Sequence, residues 1–142
     1  MKVKDILGKM DKKPVSITQS SSVLDAIRLM NMNKIGSLLV LDGNGALAGI
    51  VTERDILYEC ALRVDRIHQT QVGEIMTKNL IIGVPDDTLE YLLGIMTKNR
   101  IRHLPIVDNG AIIGMVSILD LVEHQLARAE YKNRYMEEYI RS

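Results

Sequence analysis

Phenylalanine and tryptophan are absent from this 142-residue chain, and tyrosine occurs five times. A platform for stacking nucleic-acid bases would have to be built from those tyrosines, three of which, Tyr131, Tyr135 and Tyr139, are confined to the C-terminal tail. The single cysteine, Cys60, excludes an internal disulfide. Its place in a helical stretch suits a small buried hydrophobe better than a nucleophile. An excess of one charge is also missing, since 18 Lys and Arg balance 18 Asp and Glu, which argues against bulk attraction to nucleic-acid phosphates. No apolar run reaches membrane-spanning length, and Met1-Lys2-Val3-Lys4-Asp5 carries no apolar signal core. The expectation is a soluble, cytoplasmic protein with no membrane partner. Neither Cys-x-x-Cys nor His-Glu-x-x-His occurs, and His68, His103 and His124 fall in a linker, a strand start and a helix. No catalytic residue, metal or catalytic cofactor is therefore assigned, and the chain reads as a non-enzyme.

What the chain does contain, it contains twice. Gly49-Ile50-Val51-Thr52-Glu53-Arg54-Asp55 returns as Gly114-Met115-Val116-Ser117-Ile118-Leu119-Asp120. Ahead of each lies an apolar strand closed by a turn, Ser37 to Gly45 and His103 to Gly110. One residue fewer in the second turn predicts hairpins of slightly different loop length. Further back, Val23, Ala26, Ile27 and Met30, then Leu89, Leu92, Leu93 and Met96, mark one face of a helix. Ser22 to Asp25 and Asp87 to Glu90 supply an oxygen-bearing cap followed three residues on by an acid. First strands are expected around Val15 to Gln19 and Leu80 to Pro85, and short lead-in helices at Val3 to Leu7 and Val72 to Met76.

The fold class is α/β, two pseudo-symmetric β-α-β-β-α repeats and a long C-terminal amphipathic helix. The boundaries are 1–62 for repeat 1, 63–71 for a polar connector, 72–125 for repeat 2 and 126–142 for the helical extension. Repeats of about 65 residues are marginal alone, so one integrated module, with the sheets packed against each other and the function where they meet, is expected.

Seen once, Thr52-Glu53-Arg54-Asp55 would be a capping box at a strand-to-helix junction. Its recurrence as Ser117 to Asp120, each time three residues after a glycine, adds a second reading. The glycine lets something approach the strand end, the helix N-terminus suits a phosphate, and the acid could accept from ribose hydroxyls. Both roles can coexist.

The duplicated pattern, Val23 to Met30, Ile35 to Asp42 and Gly49 to Asp55 echoed by Leu89 to Met96, Ile101 to Asp108 and Gly114 to Asp120, resembles a cystathionine β-synthase (CBS) domain pair, or Bateman module, over roughly residues 1–125. The resemblance implies a regulatory module that binds an adenosine-containing ligand, such as AMP, ADP, ATP, NAD or S-adenosylmethionine, in clefts between the repeats. By resemblance Thr52 and Ser117 would touch phosphate, Asp55 and Asp120 would hold ribose, and Ser16, Thr18 and Ile82 would line the adenine. Arg102 and His103 match a position that reaches phosphates, and Arg54 joins the site by its place in the motif. Gly36-Ser37 stands where repeat 2 has Arg102-His103, so the two sites cannot be equivalent.

The resemblance further implies a homodimer and, with no effector domain in these residues, a stand-alone regulator of an unknown effector protein. The alternative is an interaction or oligomerisation module with vestigial clefts. Leu119, Val122, Leu126, Ala129, Asn133, Met136 and Ile140 form a 3,4-spaced seam that needs a partner, in the same chain or another. Arg128, Lys132, Arg134 and Arg141 interleave with Glu123, Glu130, Glu137 and Glu138, which favours a solvated helix over nucleic-acid binding. Which adenosyl ligand binds, and in how many sites, stays open.

Overall fold

The computed structural model describes residues 1–8 and 14–141, with the side chains of 131 and 139–141 outside that description. In chain order the elements are α1 (Val3–Leu7), β1 (Ser16–Thr18), α2 (Val23–Asn33), β2 (Ser37–Leu41), β3 (Leu47–Thr52), α3 (Glu53–Arg63), α4 (Val72–Ile75), α5 (Leu89–Asn99), β4 (His103–Asp108), β5 (Ala111–Ser117) and α6 (Ile118–Arg141). The polar connector contains a 3-10 stretch, Val64–Gln69, with His68 exposed.

Two compact units form, and they do not coincide with the sequence repeats. One comprises Pro14–Ile81, the other Met1–Lys13 together with Ile82–Ser142. Each lead-in helix thus serves the other repeat. In the Pro14–Ile81 unit, Val72 N–H donates to Ser21 O (2.8 Å) and Val23 N–H to Thr70 O (3.0 Å). In the other unit Val3 N–H donates to Asp87 O (2.8 Å) and Leu89 N–H to Met1 O (3.1 Å), the same two bonds made by matching residues. Val3 and Val72 are both completely buried, so the exchange is anchored by an apolar side chain each time.

The Pro14–Ile81 unit holds a three-stranded sheet in the order β1-β2-β3, with β1 parallel to β2 and β3 antiparallel to it. Its core is Val23, Ala26, Met30, Leu38, Val40, Val51, Ile56 and Val72, with Cys60 partly buried against it as a small hydrophobe. The other unit holds the β4-β5 hairpin and buries Val3, Ile6, Leu89, Leu92, Met96, Leu104, Ile106, Val116 and Leu121. Fully burying a Leu or Met of this kind contributes about 1.5–3 kcal/mol.

The first strand expected near Leu80 to Pro85 shrinks to one parallel bridge, Gly83 to Ile106, the counterpart of Ile17 against Val40. Gly83 N–H donates to Pro105 O and Val107 N–H donates to Gly83 O, both at 2.9 Å. One residue later Val84 N–H donates to Asp87 Oδ2 (2.9 Å) and Pro85 has no N–H, so the ladder stops there. Because the Asp87 carboxylate is spent on this turn, the cap of α5 is Thr88, whose Oγ1 accepts from Tyr91 N–H (3.1 Å). Ser22 caps α2 as expected, accepting from Asp25 N–H (3.0 Å).

The hairpins differ as their turns demand. Asn109 (φ 51°) and Gly110 (φ 80°) form a two-residue turn between Asp108 and Ala111, with the left-handed φ at both central positions that a type I′ turn requires. In the first hairpin Asp42 N–H donates to Ala46 O (2.9 Å), leaving the three-residue loop Gly43-Asn44-Gly45. Asp42 Oδ1 accepts from Asn44 and Ala46 N–H (2.8 and 3.0 Å) and holds that loop from inside.

Candidate functional site

Each hairpin delivers its second strand into a helix at the same kind of junction. The register slips between Val40 and Leu41, and again between Ile106 and Val107, so one residue, Ala48 or Ile113, is left over just before Gly49 or Gly114. Beyond the slip the strands run in register to the hydroxyl residue, where Thr52 stands opposite Ser37 and Ser117 opposite His103. The first amide of each helix is then satisfied across the hairpin. Glu53 N–H donates to Gly36 O (3.0 Å) and Ile118 N–H to Arg102 O (2.8 Å).

Both hydroxyl–acid pairs are closed capping boxes. Asp55 Oδ2 accepts from Thr52 N–H (2.9 Å), and Thr52 Oγ1 accepts from Asp55 N–H (3.2 Å). Asp120 Oδ2 accepts from Ser117 N–H (2.9 Å), and Ser117 Oγ accepts from Asp120 N–H (3.0 Å). Two orphan amides are satisfied at each helix start, the structural role these spacings allow. All four residues remain partly exposed.

The glycines have a cause the sequence did not reveal. A Cβ on Gly49 would lie 2.6 Å from Thr77 O and 2.9 Å from Met76 Sδ, because the segment after α4 pairs with β3 through Ile50 N–H to Thr77 O (3.0 Å) and Thr77 N–H to Ile50 O (2.8 Å). A Cβ on Gly114 would meet Leu7 Cδ2 at 3.0 Å. What approaches each strand end is the protein's own chain, the segment after α4 at Gly49 and the last residue of α1 at Gly114.

The surroundings of the two junctions differ in charge. At the first, Glu53 lies over Gly36, with its Oε1 3.1 Å from where a Cβ would stand, and the Thr77 hydroxyl reaches Asp55 Oδ1 (3.3 Å). Sequence reasoning missed both Glu53 and Thr77, and only the absent side chain at Gly36 hinted at the first. At the second junction Arg102 takes the place of Gly36 and the apolar Ile118 takes that of Glu53. Arg102 is exposed and His103 partly buried.

Of the other expected site residues, Ser16 is exposed at the end of β1 nearer Thr52, opposite Leu39. Thr18 is at the far end, opposite Leu41, where its Oγ1 shares a hydrogen bond with Ser21 Oγ (2.8 Å). The sheet therefore separates Thr18 from Thr52. Arg54 is exposed in the first turn of α3, and Ile82 is exposed beside the Gly83 bridge. Among the described residues no group of three or more His, Cys, Asp and Glu could hold a metal ion, and no helix is long and apolar enough to cross a membrane.

A clip near the start of α5 carries the clearest electrostatic effect. Lys4 Nζ lies 3.1 Å and Lys2 Nζ 3.6 Å from Asp86 Oδ1. The Lys4 ammonium, by hydrogen bond and charge, and Lys2 beside it hold the Asp86 carboxyl below its ordinary value of 3.8. Glu90 is likewise lowered, first by the hydrogen bond that Gln125 Nε2 donates to its Oε1 (3.0 Å).

Comparison with known proteins matches the family model described as "CBS domain" at residues 3–61 and again at 72–127. The CBS domain-containing protein YhcV of Bacillus subtilis is 31% identical over 118 residues, covering 83% of this chain and 83% of its own. The structure is similar to that of the CBS-domain containing protein ATU1752 from Agrobacterium tumefaciens, with TM-score 0.84 and 34% identity over 87% of this chain and 92% of that one. It is also similar to the CBS domain pair of protein MJ0100 in complex with 5-methylthioadenosine and S-adenosyl-L-methionine, with TM-score 0.79 and 28% identity over 90% of this chain and 98% of that one. Against the Arabidopsis thaliana relatives CBSCBSPB5 and CBSCBSPB4, the chain spans only 22% of the length of each.

Proposed function

This chain belongs to the CBS domain family, carrying the domain twice, and on that premise we propose that it is a regulatory module that binds an adenosine-containing small molecule and signals its presence to a partner protein. Such a module is regulatory rather than catalytic. The observation that carries the reading is the junction built twice, with a hydroxyl, an acid and a helix start at the end of each hairpin. A phosphate is favoured near a helix N-terminus, and a carboxylate can accept from ribose hydroxyls. The complexes of MJ0100 with 5-methylthioadenosine and S-adenosyl-L-methionine support the ligand class. AMP, ADP, ATP and NAD belong to the same class by their adenosine.

The ligand acts by biasing shape. It favours whichever arrangement of the chain it binds more tightly, and the size of the response equals its differential affinity for the two arrangements. The difference in charge between the junctions supports the second as the site of a phosphate-bearing ligand. Arg102 offers a forked cationic donor there and His103 lies beside it, whereas the first junction has Gly36 in that place with the Glu53 carboxylate over it. The capping acids Asp55 and Asp120 are common to both, and Arg54 is the cation of the first. Homodimerisation, a cytoplasmic location and an unidentified effector protein complete the proposal.

A second reading, an interaction module with vestigial ligand sites, is favoured by one observation. Asp55 and Asp120 are already engaged in capping their own helices. Thermal unfolding with AMP, ADP, ATP, NAD, S-adenosylmethionine and 5-methylthioadenosine separates the two. A ligand at about 100 times its dissociation constant adds roughly 2.7 kcal/mol to the folded state, which moves the midpoint by several degrees. No shift with any of the six would leave the interaction module as the better account.

A further inference from the structure

The two lead-in segments match position for position, Val3-Lys4-Asp5-Ile6-Leu7-Gly8 against Val72-Gly73-Glu74-Ile75-Met76-Thr77. Leu7 and Met76 each meet a motif glycine, Gly114 and Gly49. At the next residue the segments part. Thr77 exchanges two backbone hydrogen bonds with Ile50, and from that fixed place its hydroxyl donates to Asp55 Oδ1 (3.3 Å), with Oδ2 at 3.5 Å. Gly8 has no hydroxyl to offer. Its N–H turns back to Ile6 O at the end of α1, and a Cβ there would meet nothing within 4 Å.

The two carboxylates differ accordingly. Asp55 Oδ2 accepts from both the amide and the hydroxyl of Thr52 (2.9 and 3.1 Å), and Oδ1 takes the Thr77 hydroxyl, so each oxygen has a donor within the chain. Asp120 Oδ2 accepts from Ser117 N–H (2.9 Å), while its Oδ1 accepts from none of the described residues. The Ser117 hydroxyl accepts from Asp120 N–H (3.0 Å) and donates to none of them. The second junction thus presents an acceptor and a donor side by side, as the neighbouring hydroxyls of a ribose require. At the first, a ligand hydroxyl must take an oxygen that a protein hydroxyl already holds.

We propose that Thr77 is the residue that makes the two junctions unequal toward ribose: it occupies Asp55 from within the chain, so an adenosyl ligand fills the second junction first and enters the first only by displacing the Thr77 hydroxyl. The proposal rests on the adenosine-binding function proposed for these junctions, and it adds the order of filling and the residue that sets it. It is separate from the charge of Arg102 and Glu53, since it holds for a ligand with no phosphate. Displacing one such hydrogen bond corresponds to roughly fivefold in affinity.

The test is an NMR titration of the full chain with 5-methylthioadenosine, a nucleoside with both ribose hydroxyls and no phosphate. The amide signals of Glu53 and Asp55 report the first junction, and those of Ile118 and Asp120 the second. In the native chain the second pair should move at the lower ligand concentration. Thr77→Val, which keeps the shape and the backbone bonds to Ile50 but removes the hydroxyl, should tighten the first junction about fivefold and leave the second unchanged. Thr77→Ser, which restores the hydroxyl, should behave as the native chain. With 2′,3′-dideoxyadenosine, which has no ribose hydroxyl, Thr77→Val should bring no gain. Equal filling of the junctions in the native chain overturns the proposal and leaves the adenosine-binding function standing. So does a first junction indifferent to Thr77→Val, or one that gains as much from Thr77→Ser, which makes the effect one of packing. Signals that move at neither junction, in the native chain or in Thr77→Val, overturn the function itself and the proposal with it.

Discussion

The two strand-to-helix junctions are alike in backbone and unlike in charge, and that difference separates what the fold requires from what a ligand would require. Register slip, glycine, capping box and the bond across the hairpin recur at both. Such features let a strand end in a helix with every amide satisfied. The side chains around them follow no such rule. Glu53 and Thr77 crowd the first junction, while Arg102 and Ile118 flank the second. The repeated features thus satisfy the fold at both junctions, and the departures from repetition are where the two candidate sites differ in what they can bind.

The largest expected effects test the packing side of this comparison. Gly49→Ala forces a Cβ against a backbone carbonyl that is itself held in a ladder, so denaturant unfolding should show a loss of about 1–3 kcal/mol. Gly114→Ala meets only the tip of Leu7, which can turn aside, and should cost less than half as much. Equal losses would mean that the Thr77 carbonyl gives way as readily as the Leu7 side chain.

Next come the acids. Asp55→Ala removes a capping box and the Thr77 bond, for a loss of about 1–2 kcal/mol. Asp120→Ala removes only the box, about 1 kcal/mol or less. If Asp120→Ala proved the more damaging to stability, the asymmetry drawn between the junctions would be reversed.

Smaller gains should appear where the repeats agree. α2 and α5 both end on a non-glycine residue in the left-handed region, Lys34 (φ 53°) and Arg100 (φ 55°). Each is preceded by an Asn whose Nδ2 donates to the carbonyl four residues back, Asn33 to Leu29 and Asn99 to Ile95, both at 2.8 Å. Lys34→Gly and Arg100→Gly should each stabilise by about 0.5–1 kcal/mol, and by similar amounts. A gain at one position alone would break the equivalence of the two helix ends.

The smallest effect concerns the clip at α1. Asp86 has a folded pKa below 3.8, so its ion pairs support the fold at higher pH, and that support is lost as pH falls through the lowered value. An NMR titration of Lys4→Ala should show the Asp86 midpoint moving up toward 3.8. An unmoved midpoint would remove Lys4 as the cause.

The element order was legible because apolar periodicity and duplication agree with each other. Val23, Ala26 and Met30 mark a buried face whichever residues lie opposite. The strand near Ile82 was misread because its apolar residues match those of a ladder, whereas Asp87 and Pro85 end the pairing after Gly83. The exchange of lead-in helices was not legible either. Val3 and Val72 look alike in sequence, and only long-range hydrogen bonds decide which repeat each serves. At the candidate site the hydroxyls and acids could be found from their spacing, but Thr77 reaches Asp55 across 22 positions and no local pattern announces it.

The central claim, that the second junction carries the phosphate-binding chemistry, is tested most directly by calorimetric titration of AMP into the native chain, Asp55→Asn, Asp120→Asn and Arg102→Ala. The account predicts that AMP binds the native chain and Asp55→Asn with similar affinity and loses at least tenfold with Arg102→Ala and with Asp120→Asn. Binding abolished by Asp55→Asn and untouched by Arg102→Ala and Asp120→Asn would contradict it.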